Sequence, residues 1–448
     1  MRSSSASADI ACGRLTIAEL GRNFADAHPP LTAAQAQLEA ERCYYCHDAP
    51  CTAACPTGID VPSFIARIAQ DPLRGAARAI LEANILGGMC ARVCPTEVLC
   101  EDACVRHTQE DKPVEIGRLQ RHATDAFLAD PQPPLFTRAA ASGKTVAVVG
   151  AGPAGLACAH RLARSGHAVA LYDAKPKLGG LNEYGLAAYK TVDGFAQREI
   201  EWLLSIGGIE VRCGQRLGTE LRLRALIDGH DAVFLGLGLA GVNGLGLDAK
   251  AEAHVRPAVD FIAELRQAQS PATVAVGRRV VVIGGGMTAV DAAVQSRLLG
   301  ADEATIVYRR GPEAMSASAA EQDWARRNGV QIRHWAAPRA LLADGGRLCG
   351  IRFARTRIDA GRLIETGDPF EVAADVVLGA IGQRFVADPL DGLVELQDGR
   401  IRTDAQGRSS HPKVWAGGDC RSDGLDLTVQ AVEHGKVAAI AIDRALRS

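Results

Sequence analysis

No stretch of about 18 residues, the length a membrane helix requires, is apolar throughout and free of glycine or charge. The nearest candidate, Ala232 to Leu247, is broken by glycines and contains Asn243. It reads as a buried strand and a loop. The N-terminus has no apolar core of the length a secretory leader needs. Residues 1–10 are small and polar, as in a frayed end. Basic excess is missing as well. The net charge is −2, which offers nucleic acid no electrostatic footprint. A membrane protein, a secreted disulfide scaffold and a nucleic-acid binder are thereby set aside, and the reducing cytoplasm is the expected setting.

What the chain has instead is cysteine in two sets of four. Cys43-Tyr-Tyr-Cys46-x4-Cys51-x3-Cys55-Pro56 is followed by Cys90-x3-Cys94-Pro95-x4-Cys100-x3-Cys104. Closely spaced cysteines, the last of a run followed by proline, supply the soft ligands of a 4Fe–4S cluster. Zinc is the alternative, but it prefers two paired CxxC or HxxxH knuckles. Only Cys43 and Cys46 have that spacing. Cys12, Cys158, Cys213, Cys349 and Cys420 are scattered and read as small apolar residues.

At 448 residues the chain is too long for one core, and two or three domains are expected. Thr32-Ala-Ala-Gln35 is a capping-box pattern that predicts a helix from Ala33 to Arg42, delivering Cys43. Pro62 to Ile85 is rich in helix formers with a break at Pro72, and Leu119 to Leu128 reads as another helix. Asp130-Pro-Gln-Pro-Pro134 and Ala139 to Gly143 read as linker. Residues 1–138 are therefore expected to form an α-helical domain.

Beyond it, Thr145 to Val149 predicts a buried parallel strand, and Gly150-x-Gly152-x-x-Gly155 the turn into a helix. Val169 to Tyr172 predicts the second strand, ending at Asp173. The three glycines allow the tight turn, close approach of a pyrophosphate, and helix–strand packing; the acid would hold ribose hydroxyls. The phosphate charge meets the helix N-terminus. No CxxxxC pair follows, so disulfide reductase chemistry is not expected. A second unit repeats the pattern: strand Arg279 to Ile283, turn Gly284-Gly-Gly286-x-x-Ala289, helix, and strand Ala304 to Tyr308. It ends in Arg309-Arg310, either a solvated basic corner or a clamp for the 2′-phosphate of NADP. Two such units imply two dinucleotides, most simply FAD and NAD(P)H. Val414-Trp-Ala-Gly417-Gly418-Asp419 has the strand-plus-GD form of two-dinucleotide flavoproteins. Thr428 to Arg444 then reads as a helix whose start faces the flavin. The expected architecture is an α-helical iron–sulfur domain followed by two α/β dinucleotide-binding domains, the second inserted in the first. The boundaries are 1–138, then 139–270 and 389–448 for FAD, and 271–388 for NAD(P).

With these motifs placed, the chain resembles the flavin and iron–sulfur subunit of bacterial dihydropyrimidine dehydrogenases. It is similar also to the N-terminal half of the single-chain animal enzyme and, more distantly, to the glutamate synthase small subunit. The resemblance runs over about residues 12–445, through VAVVGAGPAGLACAHRLA, LGGLNEYGLAAYK, VVVIGGGMTAVDAA, TIVYRRGPEAMSAS and WAGGDC. It implies two 4Fe–4S clusters with crossed ligands: Cys43, Cys46, Cys51 and Cys104 for the first, and Cys55, Cys94, Cys100 and Gln120 for the second. Cys90 is then a non-ligand. By itself Gln120 would pass for a surface helix residue. The resemblance also implies flavin contacts at Gly150, Gly152, Gly155, Asp173, Gly180, Leu181, Gly418, Asp419 and Thr428. Gly284, Gly286, Ala289, Arg309 and Arg310 serve the nicotinamide nucleotide. Lys190 stands where the animal enzyme has an arginine near the flavin; with Asp419 it is a candidate catalytic residue. The Glu313 to Ser318 segment is expected on the nicotinamide side.

The resemblance implies an electron path from NAD(P)H through FAD and the clusters to a partner subunit carrying FMN and iron–sulfur clusters, which reduces uracil or thymine. A glutamate synthase small subunit is the first alternative. A non-catalytic cluster-bearing scaffold is the second, against which the intact glycines and Asp419 count.

Overall fold

The structure, a computed structural model, describes residues 9–70 and 73–448. It divides into two compact units. The larger comprises residues 28–183, 193–241 and 384–448; the other holds residues 9–27, 184–192 and 242–383.

The larger unit begins with helices. Thr32 caps Ala33–Glu41 through the reciprocal bonds expected, its hydroxyl accepting from the Gln35 N–H and the Gln35 side chain accepting from the Thr32 N–H. Val61–Gln70 buries Val61, Phe64, Ile65 and Ile68, the i, i+3, i+4, i+7 stripe of an amphipathic helix. That stripe packs with Ile80 and Leu119 in one core. Ile116–Ala129 runs longer than the expected Leu119 to Leu128. The expected break at Pro72 lies outside the described residues.

In the same unit Thr145–Val149 is the middle strand of a five-stranded parallel sheet. The order is Val414–Ala416, Ala232–Leu235, Thr145–Val149, Ala168–Asp173 and Ile209–Cys213. Strands covered on both faces read as continuous apolar runs, which is why Val146, Val148, Val233 and Phe234 are fully buried. The C-terminal helix Thr428–Arg447 packs on Pro153–Arg164. A Cβ on Gly435 would stand 2.0 Å from the Ala154 carbonyl oxygen, so only glycine permits that approach.

The smaller unit has its own parallel sheet. Its order is Val330–Arg333, Glu303–Val307, Arg279–Ile283, Val376–Gly379 and Val255–Pro257. A separate three-stranded antiparallel sheet, Ala336–Asp344, Arg347–Asp359 and Arg362–Ala373, packs its Ile351 and Phe353 with Val281 and Ile283 of the parallel sheet.

The units divide the chain differently from the expected boundaries. Residues 9–27 belong with the smaller unit. There Ile10–Ala11 pairs with Val276–Gly277, and the Thr16-capped helix Ile17–Asn23 buries Leu20 in the core formed by Val280, Val282 and Val290. That unit also starts earlier than residue 271, because the helix Ala258–Gln267 buries Phe261, Ile262 and Leu265 in the same core. Among the described residues no helix is long and apolar enough to cross a membrane.

Candidate cofactor sites

Cys43, Cys46, Cys51 and Cys104 line one pocket, with Val61, Ile65, Ile116 and Arg106. Local backbone delivers them. Cys43 follows the end of Ala33–Glu41, left-handed residues Tyr45 and Ala49 bend the chain, and Pro50–Ala53 carries Cys51. Cys104 arrives from far along the sequence as the N-cap residue of Val105–Glu110. Burial pushes the Cys51 thiol up to about 11 and raises that of Cys43, with neighbouring sulfurs adding to both. A metal bound by such thiols would displace their protons to solvent. Among the described residues no three Cys, His, Asp or Glu side chains meet as they would around one ion.

The second set gathers beside the first. Cys94 ends the helix Gly87–Val93. Its thiol is raised by a hydrogen bond with Cys90, then by burial and by the charges of Cys90, Cys100 and Cys55. Burial raises Cys100 too, followed by Glu101, Cys55 and Cys51. Cys55, Cys94 and Cys100 are thus neighbours, and Cys90 stands among them. Gln120 is not a surface residue: it is buried, and its amide nitrogen donates to the Gly87 carbonyl at 2.6 Å.

Sequence reasoning missed Glu199. It lies on Phe195–Leu204, is completely buried, and accepts the Gly88 N–H at 2.7 Å and the Met89 N–H at 3.2 Å. Burial pushes its carboxyl up to about 8 against the pull of those bonds and of Arg92. A carboxyl that binds its proton more tightly folded than unfolded stabilises the fold most below its unfolded value of about 4.3. That stability is lost as pH rises towards 8, at up to about 1.4 kcal/mol per pH unit. The thermal midpoint should therefore fall between pH 5 and 8, with a slope that Glu199→Gln flattens; equal slopes for both proteins would refute this.

At the first glycine turn, Gly150 has φ 97°. A Cβ on Gly155 would stand 1.8 Å from the Gly150 carbonyl oxygen, and one on Gly180 2.7 Å from the Gly152 Cα. The result is a bare backbone cradle at the start of Pro153–Arg164. Asp173 ends its strand, and its two carboxylate oxygens accept the Ala151 and Lys175 N–H groups at 2.7 Å. Leu181 is 42% exposed beside Gly180. Thr428 donates to Asn182 at 2.8 Å, a partner not foreseen. Gly418 has φ 76° and donates its N–H to His434 Nδ1 at 3.2 Å. This fixes the neutral tautomer of a buried histidine whose value burial lowers to about 4. Asp419 is raised to about 6, chiefly by burial.

The second turn lies in the other unit. A Cβ on Gly284 would meet the Ala380 carbonyl oxygen at 2.2 Å, and Gly286 opens Met287–Leu298. Ala289 is buried where a third glycine would stand. Ala317 donates to the Gly285 carbonyl at 3.0 Å, so the Glu313 to Ser318 segment does reach this turn. Arg309 and Arg310 are exposed, while their carbonyls are fixed by Thr356 and Trp335. Lys190 belongs to this unit. Its ammonium sits between Asp291, at 2.9 Å, and Glu321, at 2.7 Å, and the Tyr189 hydroxyl donates to Asp291.

Comparison with known proteins accords with this geometry. Residues 21–131 match the family model described as dihydropyrimidine dehydrogenase domain II, 4Fe-4S cluster. Residues 144–435 match that of pyridine nucleotide-disulphide oxidoreductases. The NAD-dependent dihydropyrimidine dehydrogenase subunit PreT of Escherichia coli is 35% identical over 92% of this chain and 95% of its own length. The glutamate synthase [NADPH] small chain of the same organism is 33% identical over 94% of this chain and 93% of its own. Among solved structures, the thioredoxin reductase of T. acidophilum shares the fold at a TM-score of 0.54 and 21% identity. That match covers 68% of this chain and 100% of the reductase. The chain belongs to the pyridine nucleotide-disulphide oxidoreductase family, in the group that carries dihydropyrimidine dehydrogenase domain II ahead of the dinucleotide-binding region.

Proposed function

We propose that this NAD(P)H-dependent oxidoreductase is the electron-input subunit of a cytoplasmic dihydropyrimidine dehydrogenase. One observation carries the reading: Cys43, Cys46, Cys51 and Cys104 surround one cavity in a chain that also holds two glycine turns opening helices. The named relative supports the choice of enzyme. The layout is a helical cluster domain followed by two dinucleotide domains, the second inserted in the first. The pairing of Val414–Ala416 with Ala232–Leu235 supports that insertion.

Bound FAD supplies hydride acceptance from NAD(P)H and one-electron release, and two 4Fe–4S clusters supply onward transfer. The chain's own residues hold these groups. Gly150, Gly152, Gly155 and Gly180 leave backbone bare for a pyrophosphate, with the helix N-terminus favouring its charge. Asp173 shapes the turn and keeps lone pairs for ribose. Gly418, Asp419 and Thr428 serve the rest of the flavin nucleotide, with Leu181 beside the cradle. Gly284, Gly286 and Ala289 do the same for NAD(P)H. Lys190, its charge fixed by two carboxylates, is assigned to positioning and not to proton transfer. Cys43, Cys46, Cys51 and Cys104 hold one cluster; Cys55, Cys94, Cys100 and Gln120 hold the other.

The partner is an FMN and iron–sulfur subunit that reduces uracil or thymine. Anaerobic co-purification from the native host, with iron, flavin and partner identified in one sample, tests this. An FMN partner and uracil-dependent NAD(P)H oxidation only in the complex are expected. A large glutaminase partner would move the chain to the second reading, the glutamate synthase small subunit, which the 33% identity to that chain favours. Cofactor choice is tested separately. If Arg309 and Arg310 clamp a 2′-phosphate, replacing both with alanine should raise the KM for NADPH roughly tenfold or more, at about 1.5–3 kcal/mol per charged hydrogen bond. The KM for NADH should change little. Parallel changes would return the pair to a solvated corner.

A further inference from the structure

The peptide between Gly87 and Gly88 is held at both ends by buried side chains. Its carbonyl accepts from Gln120 Nε2 at 2.6 Å, and its N–H donates to Glu199 Oε1 at 2.7 Å. Both Glu199 oxygens also accept from Met89 N–H, at 3.2 Å. Glycine at the joint gives these side chains their room: a Cβ on Gly88 would stand 2.7 Å from Glu199 Oε1 and 2.6 Å from the Phe195 ring, and one of them would have to shift. Arg92 stacks on that ring at 3.4 Å, donates to the Gly88 carbonyl at 3.0 Å and pairs with Asp125 at 2.6 Å. Cys94 ends the same short helix.

We propose that Glu199 is a positioning residue for the second cluster, acting through the Gly87–Gly88 peptide on Gln120. The inference rests on the reading that Gln120 Oε1 ligates iron. A carboxylate accepting the peptide N–H draws electron density towards the carbonyl oxygen, which becomes a better acceptor for Gln120 Nε2. Hydrogen-bonded chains polarise one another in this way. Polarised at its nitrogen, the Gln120 amide presents a more electron-rich oxygen, and the bond at Nε2 turns that oxygen the other way. Partners beyond the direct ligands orient them and tune the metal. A more electron-rich ligand favours the oxidised cluster and lowers its potential. The helix that carries Glu199 comes from the sequence that follows the glycine turn, not from the cysteine region, so flavin-side sequence sets the property of a cluster.

The test is an EPR-monitored redox titration of the anaerobically purified holo chain at pH 7 and at pH 9, on either side of the raised range of the Glu199 carboxyl. Glu199→Gln should raise the midpoint potential of one cluster and leave the other in place, with iron and FAD content unchanged. Glu199→Asp keeps the charge but falls one methylene short of Gly88. The relay predicts an upward shift for it too, whereas a charge acting through space predicts none. Gln120→Cys should alter the EPR signal of the same cluster and cut the relay, so Glu199→Gln should shift its potential by less than half as much in that background. An equal shift in both backgrounds, or no shift in either Glu199 variant, overturns the relay. Loss of the cluster in both Glu199 variants assigns the residue to assembly and overturns it as well. An unchanged signal in Gln120→Cys removes the ligand reading beneath it and leaves the electron-input function standing.

Discussion

Replacing Cys104 with serine should cost about half the iron and nearly all electron delivery, while the yellow flavin and dye reduction at it persist. Cys104 joins Cys43, Cys46 and Cys51 around the same cavity although it comes from the other cysteine set. Serine keeps the size but removes the soft thiolate that iron–sulfur clusters use. Losing an outer partner of a metal site typically costs 10–100-fold, so losing a direct ligand should lower partner-dependent turnover by roughly 100-fold or more. Iron analysis, the visible spectrum and NAD(P)H-driven dye reduction on one preparation separate the outcomes. Full iron with full turnover would assign Cys104 to packing. Loss of flavin together with iron would mean that the variant had failed to fold.

The second large effect concerns stability. Lys190→Met should destabilise the smaller unit by about 3–5 kcal/mol, the cost of stranding buried charge by removing its partner. Lys190 is 11% exposed at its side chain and lies against Asp291, 4% exposed, and Glu321, 17% exposed. The methionine fills the stem's volume, so the loss is electrostatic. A unit of this size loses roughly 2–4 °C per kcal/mol, placing the fall near 10 °C. The two carboxylates overcome the effect of burial and raise the ammonium above its usual range. The stabilisation is therefore fully present below the unfolded value of about 10.4 and lost only as pH climbs beyond it. Adding Asp291→Asn to Lys190→Met should recover part of the loss. An unchanged unfolding midpoint in the single variant would show that the triad contributes no net stability.

The sequence was most legible where a local rule decides the structure. The reciprocal bonds of Thr32 and Gln35, the left-handed Gly150 and the close-packed Gly155 need only neighbours along the chain. The cysteine sets were legible because ligand spacing is chemistry. Glu199 was not: one acid on the amphipathic helix Phe195–Leu204 reads as solvated, and only distant Gly88 makes it a buried acceptor. Gln120 was assigned through resemblance, since helix pattern does not say which polar residue faces inward. The placement of residues 9–27 with the smaller unit rests on the two-residue pairing of Ile10–Ala11 with Val276–Gly277 and on buried Leu20, with Leu15, Phe24 and Ala27 packed against the same core. Both are too short to carry a period. The antiparallel sheet escaped for another reason: register shifts between Pro338 and Ala340 and between Phe353 and Arg355 break the alternation that marks a strand.

The interleaving of the two cysteine sets bears on how the holo protein is made. Cys51 and Cys104 line one cavity, and Cys55, Cys94 and Cys100 all lie between them in the chain. The ligands proposed for one cluster therefore bracket most of those proposed for the other. The entropic cost of closing a loop grows with the length of free chain, so tying Cys55 to Cys94 and Cys100 first shortens the span that the outer closure must gather. Loading of the inner site favours loading of the outer one, so a chain that has lost the inner cluster is poorly prepared to keep the outer, whereas losing the outer leaves the inner closure intact.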